Sequence, residues 1–190
     1  MRVVVRGHEN VAQGLRNAGL DVVTSFADSF DALVHVPDLN AAVRTPLLEL
    51  DDEEWDARGE ALLREALWDC RRAHAGMRAR GGRIVLITPT VALVGAEGLA
   101  PFAMAVEGMR TLAKAAARQW GAAGITANCV APSLDVFGIR HDADGSVAPA
   151  LGRVPTLDDL VAVLVALLGE AGAHLTGTTI IVDGGVVMAP

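Results

Sequence analysis

The side chains able to move a proton, attack a carbonyl or hold a metal are few in this sequence, and they are scattered. There is no tyrosine, and of the 16 Lys+Arg only Lys114 is a lysine. The rest of the positive charge is arginine, which stays protonated at any working pH and so passes protons poorly. Of the five histidines, His74, His141 and His174 show no partner spacing for a metal site or a nucleophile–base–acid triad. His8 and His35 each follow a short β-branched run, on the side where open parallel sheets take ligands. The plainer reading of both is a solvated loop histidine. Cys70 and Cys129 form no CxxC or Cys/His cluster, which suits a reducing compartment, no structural metal and two small buried hydrophobes. Thr88 offers a hydroxyl to a substrate, but without a base its pKa is too high for acid chemistry.

The elements that must position these residues follow an alternating pattern. Short β-branched runs at Arg2–Val5, Leu20–Thr24, Asp31–Val36, Arg83–Ile87, Ile125–Val130 and Thr178–Asp183 read as strands. Between them lie stretches of helical period: a helix through Val11, Leu15 and Ala18 closed by Gly19, a long helix over Asp51–Arg80, a second over Leu99–Trp120 and a last one over Thr156–Leu168. Such alternation predicts βαβ units and a parallel sheet covered on both faces. The link Ser25–Phe30 is too short for a crossover helix, and Ser133–Pro155, with Gly138, Asp142, Asp144, Gly145 and Gly152, is the one extended irregular stretch. With 190 residues, 52% of them hydrophobic, one domain over 1–190 is expected.

Charge and hydropathy exclude further classes. A formal net charge of -7 repels phosphate backbones and anionic lipid, so neither nucleic acid nor membrane is an expected partner. Gly7 ends the Val3-Val4-Val5 run before it reaches signal-peptide length, and Leu160–Leu168 is under half the roughly 20 residues of a membrane-spanning helix. The expected location is cytoplasmic.

From Gly82 onward the text resembles short-chain dehydrogenases/reductases. The carrying segments are Gly-Gly-Arg-Ile-Val-Leu-Ile, Gly124-Ile-Thr-Ala-Asn-Cys-Val-Ala-Pro132 and Leu175-Thr-Gly-Thr-Thr-Ile-Ile-Val-Asp-Gly-Gly185. The resemblance implies an α/β fold: a Rossmann-like, doubly wound parallel sheet of about six strands, shortened after the second strand, where the family carries an additional helix, strand and helix. In that family a tyrosine protonates the substrate oxygen, a lysine four residues on lowers its pKa, a serine orients the substrate and an asparagine completes the proton path. Alignment places Phe102, Val106, Pro89 and Leu62 at those positions, all four aprotic. Lys114 is ~18 Å along the helix from Phe102 at ~1.5 Å per residue. The cofactor positions are also altered. The glycine-rich phosphate turn is reduced to Arg6-Gly7-His8-Glu9-Asn10, Thr24-Ser25 stands where a ribose-binding acid is usual, and His35-Val36-Pro37-Asp38 replaces Asn-Asn-Ala-Gly. Gly7, His8, Pro37 and Pro132 are therefore read as vestigial cofactor positions, with Arg6 and His8 as solvated turn residues.

What the resemblance leaves intact is assembly. In the family the long helices and the closing strand form subunit interfaces, which here assigns contact roles to Ala105, Met109, Leu112, Ala116, Val182, Val186, Val187 and Met188. The expected function is a pseudoenzyme subunit that holds no cofactor or metal itself. It would join a catalytic short-chain dehydrogenase carrying NAD or NADP in a hetero-oligomer, two copies of each. The alternatives are a divergent NAD(P)-dependent oxidoreductase and a small-molecule sensor or homomeric scaffold.

Overall fold

The computed structural model describes residues 1–26, 29–140 and 148–188. Six parallel strands, β1 (Arg2–Arg6), β2 (Asp21–Val23), β3 (Ala32–His35), β4 (Gly82–Ile87), β5 (Ile125–Pro132) and β6 (Thr179–Val182), form one sheet in the order β2-β1-β3-β4-β5-β6. Its helices are α1 (Glu9–Asn17), α2 (Asp52–Trp55), α3 (Ala61–Met77), α4 (Ala100–Trp120) and α5 (Leu157–Leu168). The architecture is the expected Rossmann-like α/β one. Val3, Val4, Leu33, Val34, Ile84 and Val85 are all essentially inaccessible, because a parallel sheet is covered on both faces and its central strands need no polar side. α1 packs with α5, and α3 with α4, as the two covering layers.

The shortened stretch after β2 is filled by aromatic side chains. Phe26 and Phe30 meet edge to face at 5.6 Å between centroids, and the Arg72 guanidinium of α3 lies 5.7 Å from the Phe26 ring. Gly76 makes room for them: a Cβ there would meet Phe30 Cζ at 2.6 Å. Apolar rings thus cover the flank that the missing crossover would have covered.

Two expectations change in detail. The long helix expected over Asp51–Arg80 is three pieces: α2, a π-helical turn at Asp56–Glu60, and α3, which stops at Met77. Asp51 caps its start by accepting the Glu54 N–H at 2.8 Å, as a short acidic side chain does. The π turn has no signature in hydrophobic period. On α4, Ala105, Met109 and Ala116, expected as contact residues, lie in the chain's own core. They are 0%, 0% and 3% exposed, because the stripe they form faces the chain's own sheet, and a side chain already covered has no area to give a neighbour. Leu112 is half-buried beside them. Among the described residues no helix is long and apolar enough to cross a membrane.

Candidate functional site

The strand order reverses between β1 and β3, so the C-terminal ends of these two strands flank the crevice where open α/β sheets take ligands. β1 ends in Arg6 and β3 in His35, and the register pairs them. Arg6 spans the crevice. Its Nη1 donates to the Thr24 carbonyl at 3.2 Å, its Nε to Asp69 Oδ2 at 3.4 Å, and its Nη2 lies 3.8 Å from Glu65. Asp69 also accepts from His35 Nδ1 at 3.0 Å. Asp69 and His35 are fully buried, and His35 Nε2 has no partner among the described residues. His35 is thus a core residue, not a loop histidine, and Arg6 is engaged internally rather than solvated. A buried carboxylate that accepts from two donors, one of them the Arg6 guanidinium, is the arrangement that makes burying it tolerable.

Gly7 follows at φ +92, and a Cβ there would lie 1.9 Å from the Val36 carbonyl oxygen. The turn sits directly on the chain leaving β3, so its glycine is required by packing inside the chain. His8 opens α1 with no side-chain cap, and its ring packs on Phe137 at 5.0 Å, tilted 56°. Burial lowers its pKa. Glu9, in the first turn, pairs with Arg16 at 2.7 Å. Pro37 and Pro132 are buried at the ends of β3 and β5.

At the four positions that the sequence expectation assigns to the family's reacting groups, the side chains are apolar and buried. Phe102 and Val106 on α4 and Leu62 on α3 belong to the main core, and Pro89 is buried after β4. The Thr88 hydroxyl is fully buried and turned toward the Val130 carbonyl, so it does not face a substrate. Lys114 is exposed. Beneath the end of β4 lies an arginine that the sequence reading missed. Arg110 Nη2 donates to the Thr88 carbonyl at 2.6 Å and the Pro89 carbonyl at 3.3 Å, and its Nη1 pairs with Glu107. Burial lowers its pKa, partly offset by Glu107. Asp69 was missed too. Both had a legible signal: each falls within the helical stripe of buried residues on its helix, Ala66, Cys70 and Ala73 around Asp69, Val106, Met109 and Ala113 around Arg110.

Elsewhere, His74 packs on Trp120 at 4.8 Å, and His174 is exposed. His141, Asp142, Asp144 and Gly145 lie outside the described residues, as do positions 189–190 of the tail. Both thiols are buried, and burial pushes Cys70 up to about 12 and Cys129 up to about 11. At the far edge of the sheet, a cleft of about 550 Å³ runs between β6, α5 and the chain around Leu151 and Pro155. Of the expected contact residues, Val182 and Val187 line this cleft half-buried, Val186 is half-buried between them, and Met188 is 79% exposed.

The family model described as "Enoyl-(Acyl carrier protein) reductase" matches residues 13–187. The chain is 28% identical over 183 residues to the 3-oxoacyl-[acyl-carrier-protein] reductase FabG of Chlamydia pneumoniae, covering 90% of this chain and 72% of that protein. To the FabG of Escherichia coli (strain K12) it is 32% identical over 152 residues, covering 75% and 61%. A D-threitol dehydrogenase of Mycolicibacterium smegmatis matches at 27% over 176 residues, 88% and 67%. The chain thus spans about three fifths to three quarters of the length of these relatives. Sorbitol-6-phosphate 2-dehydrogenase SrlD from Erwinia amylovora superposes with a TM-score of 0.81 at 19% identity over the whole of both chains, a likeness of fold. With the motifs after Gly82 and the doubly wound sheet, a family match over nearly the whole sequence establishes that this chain belongs to the short-chain dehydrogenase/reductase family.

Proposed function

We propose that this chain is a non-catalytic member of its family, a pseudoenzyme subunit that joins and stabilises a catalytically active short-chain dehydrogenase in which NAD or NADP is bound. The observation that carries the reading is the coincidence of Phe102, Val106, Pro89 and Leu62, every one aprotic and buried. Carbonyl reduction needs a group that donates to the developing alkoxide, and none of these four has a proton to give. The crevice between β1 and β3 does not fit a dinucleotide either. Arg6 fills it with contacts to Thr24, Glu65 and Asp69, and Glu9 brings a carboxylate to the helix start where a pyrophosphate would need donors.

The test is calorimetric titration of the full chain with NAD, NADP and their reduced forms, followed by co-expression with the nearest Tyr-x-x-x-Lys relative from the same genome. The expected result is no binding heat for the lone chain, and co-elution with an active, more heat-resistant relative. Separate elution, with the relative equally active and stable alone, would overturn it. The second reading, a divergent NAD(P)-dependent oxidoreductase, draws on the dehydrogenases and reductases this chain resembles. Low-micromolar cofactor binding by the lone chain would favour it.

A further inference from the structure

The two faces of the sheet are covered unequally. On one face α1 lies on β1 and β2, and α5 on β4 and β5; on the other, α3 lies on β3 and β4, and α4 on β4 and β5. The flank of α3 nearest β1 is the place where that second layer stops. α3 turns residues 65, 68, 72 and 76 toward it, a stripe at helical spacing. Arg6 of β1 reaches Glu65 at 3.8 Å across this flank. In its C-terminal half the stripe is covered by the chain itself, with Phe30 at Gly76 and the Phe26 ring 5.7 Å from the Arg72 guanidinium. In its N-terminal half it is open, and Trp68 is 54% exposed.

Trp68 does not stand alone. Arg71 and Arg72 lie three and four residues on, which sets them beside it on the helix surface. Both are exposed, and the three side chains line a cavity of about 350 Å³. The carboxylates of α3 serve another cation, since Glu65 and Asp69 pair with Arg6, and among the described residues Arg71 and Arg72 have no ion pair. A cation in the last turn of a helix is explained by the backbone dipole. These two lie ahead of that turn, which ends at Met77. On a chain of formal net charge -7, two unpaired guanidiniums beside an exposed indole are a local reversal of sign. Charge farther off than a Debye length of about 8–10 Å is screened at physiological salt, so an approaching group responds to this patch rather than to the whole chain. Tryptophan and arginine are also the residue types that most often anchor protein interfaces.

We propose that Trp68, Arg71 and Arg72 form a docking surface for an acidic amphipathic helix of another protein, which lies beside α3 and extends the covering layer. Carboxylates of that helix pair with the two guanidiniums, whose forked donors suit them, and one of its apolar side chains enters the cavity beside Trp68. The occupant is a helix because the open place belongs to a helical layer, where a neighbour packs about 8–10 Å from the axis of α3. It is acidic because the two free charges are positive, and the same charges repel a basic helix. Its contact is short, because Phe26 and Phe30 already hold the other half of the flank. The inference stands independently of the subunit reading above.

The experiment titrates the full chain into a fluorescently labelled synthetic helix of about 15 residues, long enough to hold helical form, in which glutamates flank a leucine stripe. A control helix carries lysine at every glutamate. Anisotropy is expected to show saturable binding of the acidic helix alone, weakened on the order of tenfold when salt is raised from about 0.05 to about 0.5 M. Trp68→Ala and Arg71→Glu are each expected to weaken it about tenfold or more. Both side chains are exposed, so circular dichroism should show both variants folded, and Arg71→Glu leaves the contact of Arg72 with Phe26 in place. If one variant fails to fold, the other decides. No binding of the acidic helix, equal binding of the lysine helix, or undiminished binding by the folded variants overturns the proposal. Displacement of the helix by micromolar tripolyphosphate would make the patch a general anion site and overturns it too. So does salt-sensitive self-association of the chain that both variants abolish, which would make a second copy the occupant.

Discussion

In the pseudoenzyme reading proposed above, Phe102, Val106, Pro89 and Leu62 set the chemistry, and their burial makes it hard to reverse. Phe102→Tyr restores a phenol in a packed core with no lysine beside it, so it is expected to give no NAD(P)-dependent turnover in a spectrophotometric assay, since groups that act as a unit are strongly non-additive. Val106→Lys places an ammonium at a position 0% exposed, and urea unfolding should show a loss on the order of 3–5 kcal/mol. Asp69→Ala strips the shared acceptor from His35 and Arg6 and should cost a similar amount, about 3 kcal/mol, whereas Asp69→Asn, which keeps an acceptor oxygen, should cost less. The thiols give a pH prediction. Their folded pKa values, about 12 and about 11, lie above the ordinary 9.0, so above that ordinary value the unfolded chain loses protons first and the folded state loses stability. Thermal melts should therefore fall more steeply above pH ~9 for the wild type than for a Cys70→Ala/Cys129→Ala variant. At neutral pH neither thiol should react with a thiol reagent until the chain unfolds.

Elements are fixed here by what they must avoid as much as by what they contact. The β1–α1 turn sits on the Val36 carbonyl, and Gly7→Ala adds both a left-handed φ penalty and a Cβ 1.9 Å from that oxygen. Denaturant unfolding should register a loss of more than about 1 kcal/mol, where a turn serving only as a phosphate cradle would tolerate alanine structurally. At the start of α5, Thr156 and Asp159 cap each other reciprocally, and Arg153 grips Asp159 with two bonds. These bonds hold the Asp159 carboxyl well below the usual carboxylate range. Its contribution is thus present above the ordinary carboxylate pKa and fades only in strong acid. Because the group is exposed, salt should weaken the Arg153 pairing.

For the molecule as a whole, the proposed loss of reacting groups and the cleft beside β6 lie on different surfaces. Arg6, His35 and Pro89 lie at or just after strand ends and Phe102 and Asp69 on the covering helices α4 and α3, whereas β6 and the cleft beside it lie at the edge of the sheet. An assembly role keeps the second and does not require the first. If the chain serves that role, it should raise the melting temperature of its catalytic relative in proportion to complex formed, an effect that grows with concentration as linked binding requires. Differential scanning fluorimetry of the relative against increasing amounts of this chain reads that directly. A melting temperature that does not move would leave no stabilising function.

Alternation of β-branched runs with helical stretches, together with the segments after Gly82, determined the parallel sheet, the strand boundaries to within a residue or two, the missing crossover and the aprotic character of positions 62, 89, 102 and 106. These properties are local: residue type and period carry them without any knowledge of neighbours. Only the tertiary structure decided what the charged residues do. Asp69, His35 and Arg6 are 63 residues apart at their widest and meet because β1, β3 and α3 converge, so no spacing announces them. The same holds for Ala105, Met109 and Ala116, whose small apolar stripe reads equally well as interface or core. Which it is depends on the direction α4 turns, and α4 turns that stripe onto the chain's own sheet.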